Sequence, residues 1–197
     1  MDIDLMSVSG HKIHAPKGIG FLYCKRWIPL KSQIHGGGQE HGLRAGTENV
    51  PGIVGLGKAV DIIMHRLHKN IADETWMREM MLSAFLTEIP DVKLNGSLVS
   101  RVSGNINVMF KGVKASSALV LLEQKGIACA TGSACNSSDA KPSHVLKAIG
   151  LTDDEAEASI RFSLSELNTV EEVDYVCNAV KEVMALLREV TGYVSVI

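Results

Sequence analysis

The spacing of apolar and polar positions changes repeatedly along the chain, and each change predicts an element. Residues 2–8, Asp-Ile-Asp-Leu-Met-Ser-Val, form a short and largely apolar run ending at Ser9-Gly10, which predicts a strand. A second strand follows over 18–24, carried by Ile19, Phe21, Leu22 and Tyr23, with Gly10, Pro16 and Gly18 marking the turns between. Residues 35–49 are glycine-rich and polar, a composition suited to close backbone approach or to a tight path between elements. Pro51 then opens a helical pattern in which Ile53, Leu56, Val60 and Met64 recur at helical spacing. That pattern reaches about Ile89 and stops at Pro90.

Beyond the long helix the elements are shorter. Strands are predicted over 92–95 and 104–110, a helix over 115–125 ended by Gly126, and a short strand over 127–130. Residues 131–141 are a loop of small polar residues. Helices follow over 142–149 and after Thr152, where Glu155 completes a capping box. Residues 159–164 alternate as a strand, and Thr169 with Glu172 caps a last helix running to about Val190. The organisation is therefore a small piece of sheet in 1–50, a long connecting helix over 51–90, and an α+β unit over 91–197. Two short strands do not make a stable sheet by themselves. The first segment is thus expected to be the end of something larger or to rely on a partner, and its open edges to invite pairing or aggregation.

Composition narrows the function without naming it. Apolar residues make up 46% and charged residues 21% of 197, an ordinary globular balance that permits a sizeable core. The formal charge is -2 and the basic residues are scattered, so neither nucleic acid nor an anionic membrane surface is an expected partner. No apolar run approaches the roughly 20 residues that span a bilayer, and Met1-Asp2-Ile3-Asp4 lacks a signal-peptide pattern. A cytoplasmic protein is the expectation. None of the four cysteines is paired at zinc-knuckle or thioredoxin spacing, so no metal is expected. Cys24, Cys129 and Cys177 read as buried small hydrophobes.

Four positions carry candidate chemistry. Lys12 follows a strand, beside His11 and Ser9. A desolvated lysine near cationic groups loses proton affinity and becomes a nucleophile toward carbonyls, although by itself a lysine at a strand end more often reads as an ordinary solvated charge. Arg161 lies in a strand between Ile160 and Phe162 and must find a carboxylate or similar partner, whether a ligand or a local acidic side chain. Cys135, among Gly132, Ser133, Ala134, Asn136 and Ser137, sits in a loop that predicts an accessible thiol. Thr47 closes the glycine-rich loop and by itself reads as a turn hydroxyl.

Longer strings join these positions. Residues 9–23, Ser-Gly-His-Lys-Ile-His-Ala-Pro-Lys-Gly-Ile-Gly-Phe-Leu-Tyr, resemble the cofactor-lysine signature of group I (NifS/IscS-type) cysteine desulfurases, members of the class V aminotransferase family. His35-Gly-Gly-Gly-Gln-Glu-His-Gly-Leu-Arg-Ala-Gly-Thr47 resembles the next block of that family, and Ala130-Thr-Gly-Ser-Ala-Cys135 its catalytic loop. Pro142-Ser-His-Val-Leu-Lys-Ala-Ile-Gly150 and Ser159-Ile-Arg-Phe-Ser-Leu164 complete the series in the family's order.

The resemblance implies an α/β fold, the fold type I of pyridoxal 5'-phosphate (PLP) enzymes. A large domain binds PLP at the ends of a mainly parallel sheet, and a smaller C-terminal α+β domain follows. Residues 1–50 would be the end of the large PLP-binding domain and 91–197 the small domain. It further implies PLP held by Lys12, its phosphate contacted by Ser9, His11 and the Thr47 of a partner subunit, and a homodimer. Arg161 would take the α-carboxylate of L-cysteine, and Cys135 the sulfur as a persulfide, leaving L-alanine. The sulfur would pass to an iron–sulfur scaffold or another acceptor protein.

Departures temper the resemblance. The family continues upstream of the position matching Asp2, so this chain alone is expected to bind PLP poorly and to turn over little. His14, Ala15 and His41 stand where the family commonly has an aromatic residue, a glycine and an arginine. A non-catalytic dimerising or partner-binding remnant is the alternative, and a selenocysteine lyase a third possibility.

Overall fold

A computed structural model describes residues 2–131 and 142–195. The chain divides into two compact units, Met1–Leu67 and His68–Ile197, with the boundary inside one long helix.

In the first unit, strands β1 (Leu5–Ser9) and β2 (Gly20–Cys24) pair antiparallel, from Leu5 opposite Cys24 to Ser9 opposite Gly20. The mainly parallel sheet that the resemblance implies is not formed by these strands, which make an antiparallel two-stranded ribbon. A 3-10 turn, Gly10–Ile13, joins the end of β1 to the segment leading into β2. Gly10 is required there, because a Cβ would stand 2.8 Å from the Ile19 carbonyl oxygen and 3.2 Å from the Ala15 methyl. Buried apolar packing is slight, with Ala15, Leu56 and Ala59 gathering Ile13 and Ile19 against them. Leu5 and Leu22 stay about half exposed, at 47% and 54%. The glycine-rich segment contains a second 3-10 turn, Gln39–Gly42, with Glu40 (φ 48°) and His41 (φ 56°) in the left-handed region.

Helix α1, Val50–Glu88, fulfils the long apolar repeat. The second unit holds its last turns with β3 (Val92–Leu94), β4 (Asn105–Phe110), α2 (Ala115–Gln124), β5 (Ala130–Thr131), α3 (His144–Ala148), α4 (Asp153–Glu157), β6 (Ser159–Ser163) and α5 (Val170–Thr191). The four strands pair antiparallel in the order β3-β4-β6-β5. One face of this sheet, Ile106, Val108, Phe110, Ile160 and Phe162, packs with Phe85 of α1, Leu122 of α2 and Val180 of α5 into one core. Phe85 stands edge-on to Phe110 at 5.9 Å and tilted to Phe162 at 5.4 Å, geometries that favour aromatic pairs.

Capping is as the local sequence predicts. Thr152 with Glu155, and Thr169 with Glu172, form complete capping boxes at α4 and α5. Several boundaries differ: β1 begins at Leu5 rather than at residue 2, β2 at Gly20 rather than at residue 18, and α3 spans His144–Ala148 rather than 142–149. The short strand begins at Ala130, not at residue 127, because Ile127 belongs to the stop signal of α2. Gly126 turns left-handed at φ 77°, and the Ile127 amide donates back to the Leu122 carbonyl at 2.9 Å. That is a Schellman closure, and it drives the Ile127 side chain into the core. Among the described residues, no helix is long and apolar enough to cross a membrane.

Candidate active site

The first cluster forms because β1 ends at a tight turn. The 3-10 geometry of Gly10–Ile13 swings His11 back over the strand end, where Ser9 Oγ and His11 Nδ1 meet at 2.9 Å. Lys12 follows directly, and all three side chains are exposed. Left-handed His14 (φ 61°) closes the turn, its amide bonded to the Gly10 carbonyl, while the Ala15 methyl is buried beneath. A hydroxyl, an imidazole and an ammonium group thus share one turn, with the backbone locked below them. Such a donor set suits an anionic group such as a phosphate.

In the same unit, Thr47 is exposed immediately after an anchored stretch of the glycine-rich loop. The Ala45 amide donates to the Ile34 carbonyl at 3.2 Å, and Arg44 donates to the Ala45 carbonyl at 3.0 Å. The Gly46 amide donates to Gln39 Oε1 at 3.2 Å. Arg44 holds a backbone carbonyl, and Gln39, which no motif reading singled out, supplies the side-chain brace.

Arg161 lies in the second unit. In the sheet register it stands opposite Asn107 of β4 on one side and Ala130 of β5 on the other. It is half-buried, and its Nε–H is buried without a hydrogen-bond partner among the described residues. A buried guanidinium nitrogen is ordinarily hydrogen-bonded, so this donor is open to an acceptor from outside those residues. Around it runs a network that composition could not reveal. Asn95 Nδ2 donates to Asn107 Oδ1 at 2.7 Å and to Ser159 Oγ at 2.9 Å, and Ser159 Oγ donates to the Glu155 carbonyl at 2.6 Å. The signal for it was the alternation Asn105-Ile106-Asn107-Val108, which places amides on the face opposite the core.

Cys135 lies outside the described residues. The base of its segment is described, since Ala130 and Thr131 pair with Arg161 and Ile160. The remaining cysteines are half-buried. Burial pushes the Cys129 thiol up to about 11, and burial, with the charges of Asp174 and Glu88, does the same to Cys177. Both are therefore protonated and poor nucleophiles near neutrality. Among the described residues, no group of His, Cys, Asp and Glu is arranged to hold a metal ion.

The aminotransferase class-V model matches residues 1–176. The chain belongs to the class-V aminotransferase family. Within that family it is similar to the cysteine desulfurase of Nostoc sp., at 42% identity over 191 residues, which covers 97% of this chain and 48% of the relative. Among solved structures it is similar to a NifS-like protein, with 34% identity and a TM-score of 0.84 over 94% of this chain and 47% of the other. It is also similar to SspA in complex with cysteine, with 36% identity and a TM-score of 0.63 over 85% of this chain and 46% of the other. The chain spans about half the length of the curated relatives it matches. Its antiparallel ribbon and α+β unit are consistent with part of a fold type I architecture.

Proposed function

We propose that this chain supplies the cofactor lysine, the carboxylate-binding arginine and the sulfur-accepting thiol of a PLP-dependent cysteine desulfurase. The observation that carries the reading is the Ser9–His11–Lys12 turn, where two phosphate donors meet beside an exposed amine. The donor set fits a phosphate-bearing aldehyde cofactor. Ser9 and His11 would hold its phosphate, Lys12 would hold it covalently, and Thr47 would contact the phosphate in the partner subunit of a homodimer. PLP, when bound, supplies an electron sink for the bond-breaking at the substrate.

The chain's own residues then divide the work. The Arg161 guanidinium holds the α-carboxylate of L-cysteine through paired N–H donors. Lys12 Nζ, once free, takes the proton from the substrate's Cα and later returns one to carbon. The Cys135 thiolate attacks the substrate sulfur. A sulfur–sulfur bond forms, the carbon–sulfur bond breaks, and the electron pair goes to the substrate carbon. The products are L-alanine and a persulfide on Cys135, so the reaction balances without an outside oxidant. Binding of cysteine by the similar SspA supports this choice of substrate. The persulfide is the form in which sulfur reaches an iron–sulfur scaffold or another acceptor protein. Because the chain spans about half of its relatives' length, full turnover is proposed for the chain together with the other half, and little for the chain alone.

The test co-expresses the chain with a polypeptide supplying that other half, loads PLP, and follows alanine release and protein persulfide. The proposal expects both with the parent chain and neither with Cys135→Ser or Lys12→Ala. Persulfide formed in the Cys135→Ser protein would overturn the assignment.

A further inference from the structure

The second unit's sheet has two unlike faces. Ile106, Val108, Phe110, Ile160 and Phe162 point into the core. Alternation therefore puts Asn105, Asn107, Ser159, Arg161 and Ser163 on the opposite face. The register sets Asn107 directly across from Arg161, so their Cβ atoms are about 5 Å apart. On its other flank Arg161 meets Ala130, whose methyl has nothing polar to offer. Asn107 is thus the polar residue directly opposite Arg161 in the register.

Asn107 is itself fixed. Its Oδ1 accepts from Asn95 Nδ2, which also donates to Ser159 Oγ, and that hydroxyl is tied to the Glu155 carbonyl. Asn95 and Ser159 are 4% and 1% exposed, so the bonds that brace Asn107 run through two buried side chains. A neutral amide at this position has a particular consequence. A carboxylate would capture the guanidinium, whereas an apolar side chain would break the network. With an amide, the buried Nε–H of Arg161 has no acceptor among the described residues, and the arginine retains that donor for a ligand.

We infer that Asn107, braced by Asn95 and Ser159, is a positioning residue that holds Arg161 uncaptured and aimed at the substrate carboxylate. The inference rests on the reading of Arg161 as the carboxylate arginine, and its test separates the two.

The first arm uses the chain itself and needs no cofactor. In Asn107→Asp, the new carboxyl is titrated by NMR, alone and combined with Arg161→Gln. Lys93 and Glu155 also face this side of the sheet, so the decisive quantity is the difference between the two backgrounds. The inference expects the carboxyl to titrate lower when Arg161 is present. Equal titration in both backgrounds overturns it. The second arm uses the PLP-loaded assembly with the other half. Asn107→Asp and the milder Asn107→Ala are expected to raise KM for L-cysteine about tenfold or more, with kcat changed less than about threefold, as when binding common to substrate and transition state is lost. A fall in kcat with unchanged KM in both variants overturns the positioning role. If Arg161→Gln raises KM and the Asn107 variants do not, this inference fails and the carboxylate reading stands. If Arg161→Gln leaves KM unchanged, the carboxylate reading fails and takes this inference with it.

Discussion

The two units differ in how they meet the same demand for burial. In His68–Ile197 a four-stranded sheet lays one face on three helices, and Phe85, Phe110, Ile106 and Leu122 lose all contact with solvent. In Met1–Leu67 the buried apolar residues are Ala15, Ala45, Leu56 and Ala59, while the ribbon leaves Leu5, Met6, Phe21, Leu22 and Tyr23 exposed. Yet the first unit carries Ser9, His11, Lys12 and Thr47, and the second carries Arg161. Order in the first unit comes from backbone fit, such as the close approach of Gly10 to Ile19, rather than from a deep core. Candidate chemistry in this chain therefore sits both on a self-sufficient unit and on one with little buried area to hold it.

The strongest way to break the contrast is Phe85→Ala. Removing a fully buried ring from the centre of the core should cost about 3–5 kcal/mol and lower the main unfolding transition seen by calorimetry or denaturant. An equal loss of amide protection in β1 and β2 would show that the units do not differ as described. Next comes Gly10→Ala, which forces a methyl against a carbonyl and should cost about 1–3 kcal/mol. Hydrogen exchange should report that loss in β1 and β2, with the second unit's sheet unaffected. Thr169→Ala removes the side-chain cap of α5 and should cost about 1 kcal/mol, read as a shift of the main transition.

The smallest effect is acid sensitivity. Glu155 is held below the usual carboxylate range first by the Thr152 backbone amide, and Glu172 first by Asn168 and then by the Thr169 amide. A depressed folded-state value stabilises the protein above the ordinary carboxylate pKa, and the contribution disappears as pH falls through the lowered value. Lower amide protection relative to the intrinsic exchange rate is therefore expected at the starts of α4 and α5 as pH drops below about 4. Unchanged protection there would remove the capping carboxylates from the account.

What could be read from sequence was what depends on near neighbours. Both capping boxes lie within four residues of chain, and each formed as its Thr-x-x-Glu spacing implies. The run of α1 followed from its apolar repeat, and Ser9, Gly10, His11 and Lys12 were already contiguous. The short strand before Cys135 was misplaced at its start because Ile127 answers to a helix stop and a core, not to strand alternation. The neighbours of Arg161 stayed hidden for a different reason. Asn95, Asn107, Ser159 and Arg161 meet through the pairing of β4 with β6 and the hydrogen bonds that brace it. No local pattern states which residue of one strand will face which of another.

That pairing has a consequence for insertions and deletions ahead of the thiol segment. Ala130 and Thr131 project to opposite sides of the sheet, and Ala130 is the one beside Arg161. Adding one residue between Gly126 and Ala130 would exchange their sides and press Cys129 or a threonine toward the arginine, whereas adding two would restore the original parity. Length variants of this tether should therefore separate into odd and even classes, with the even class tolerated better.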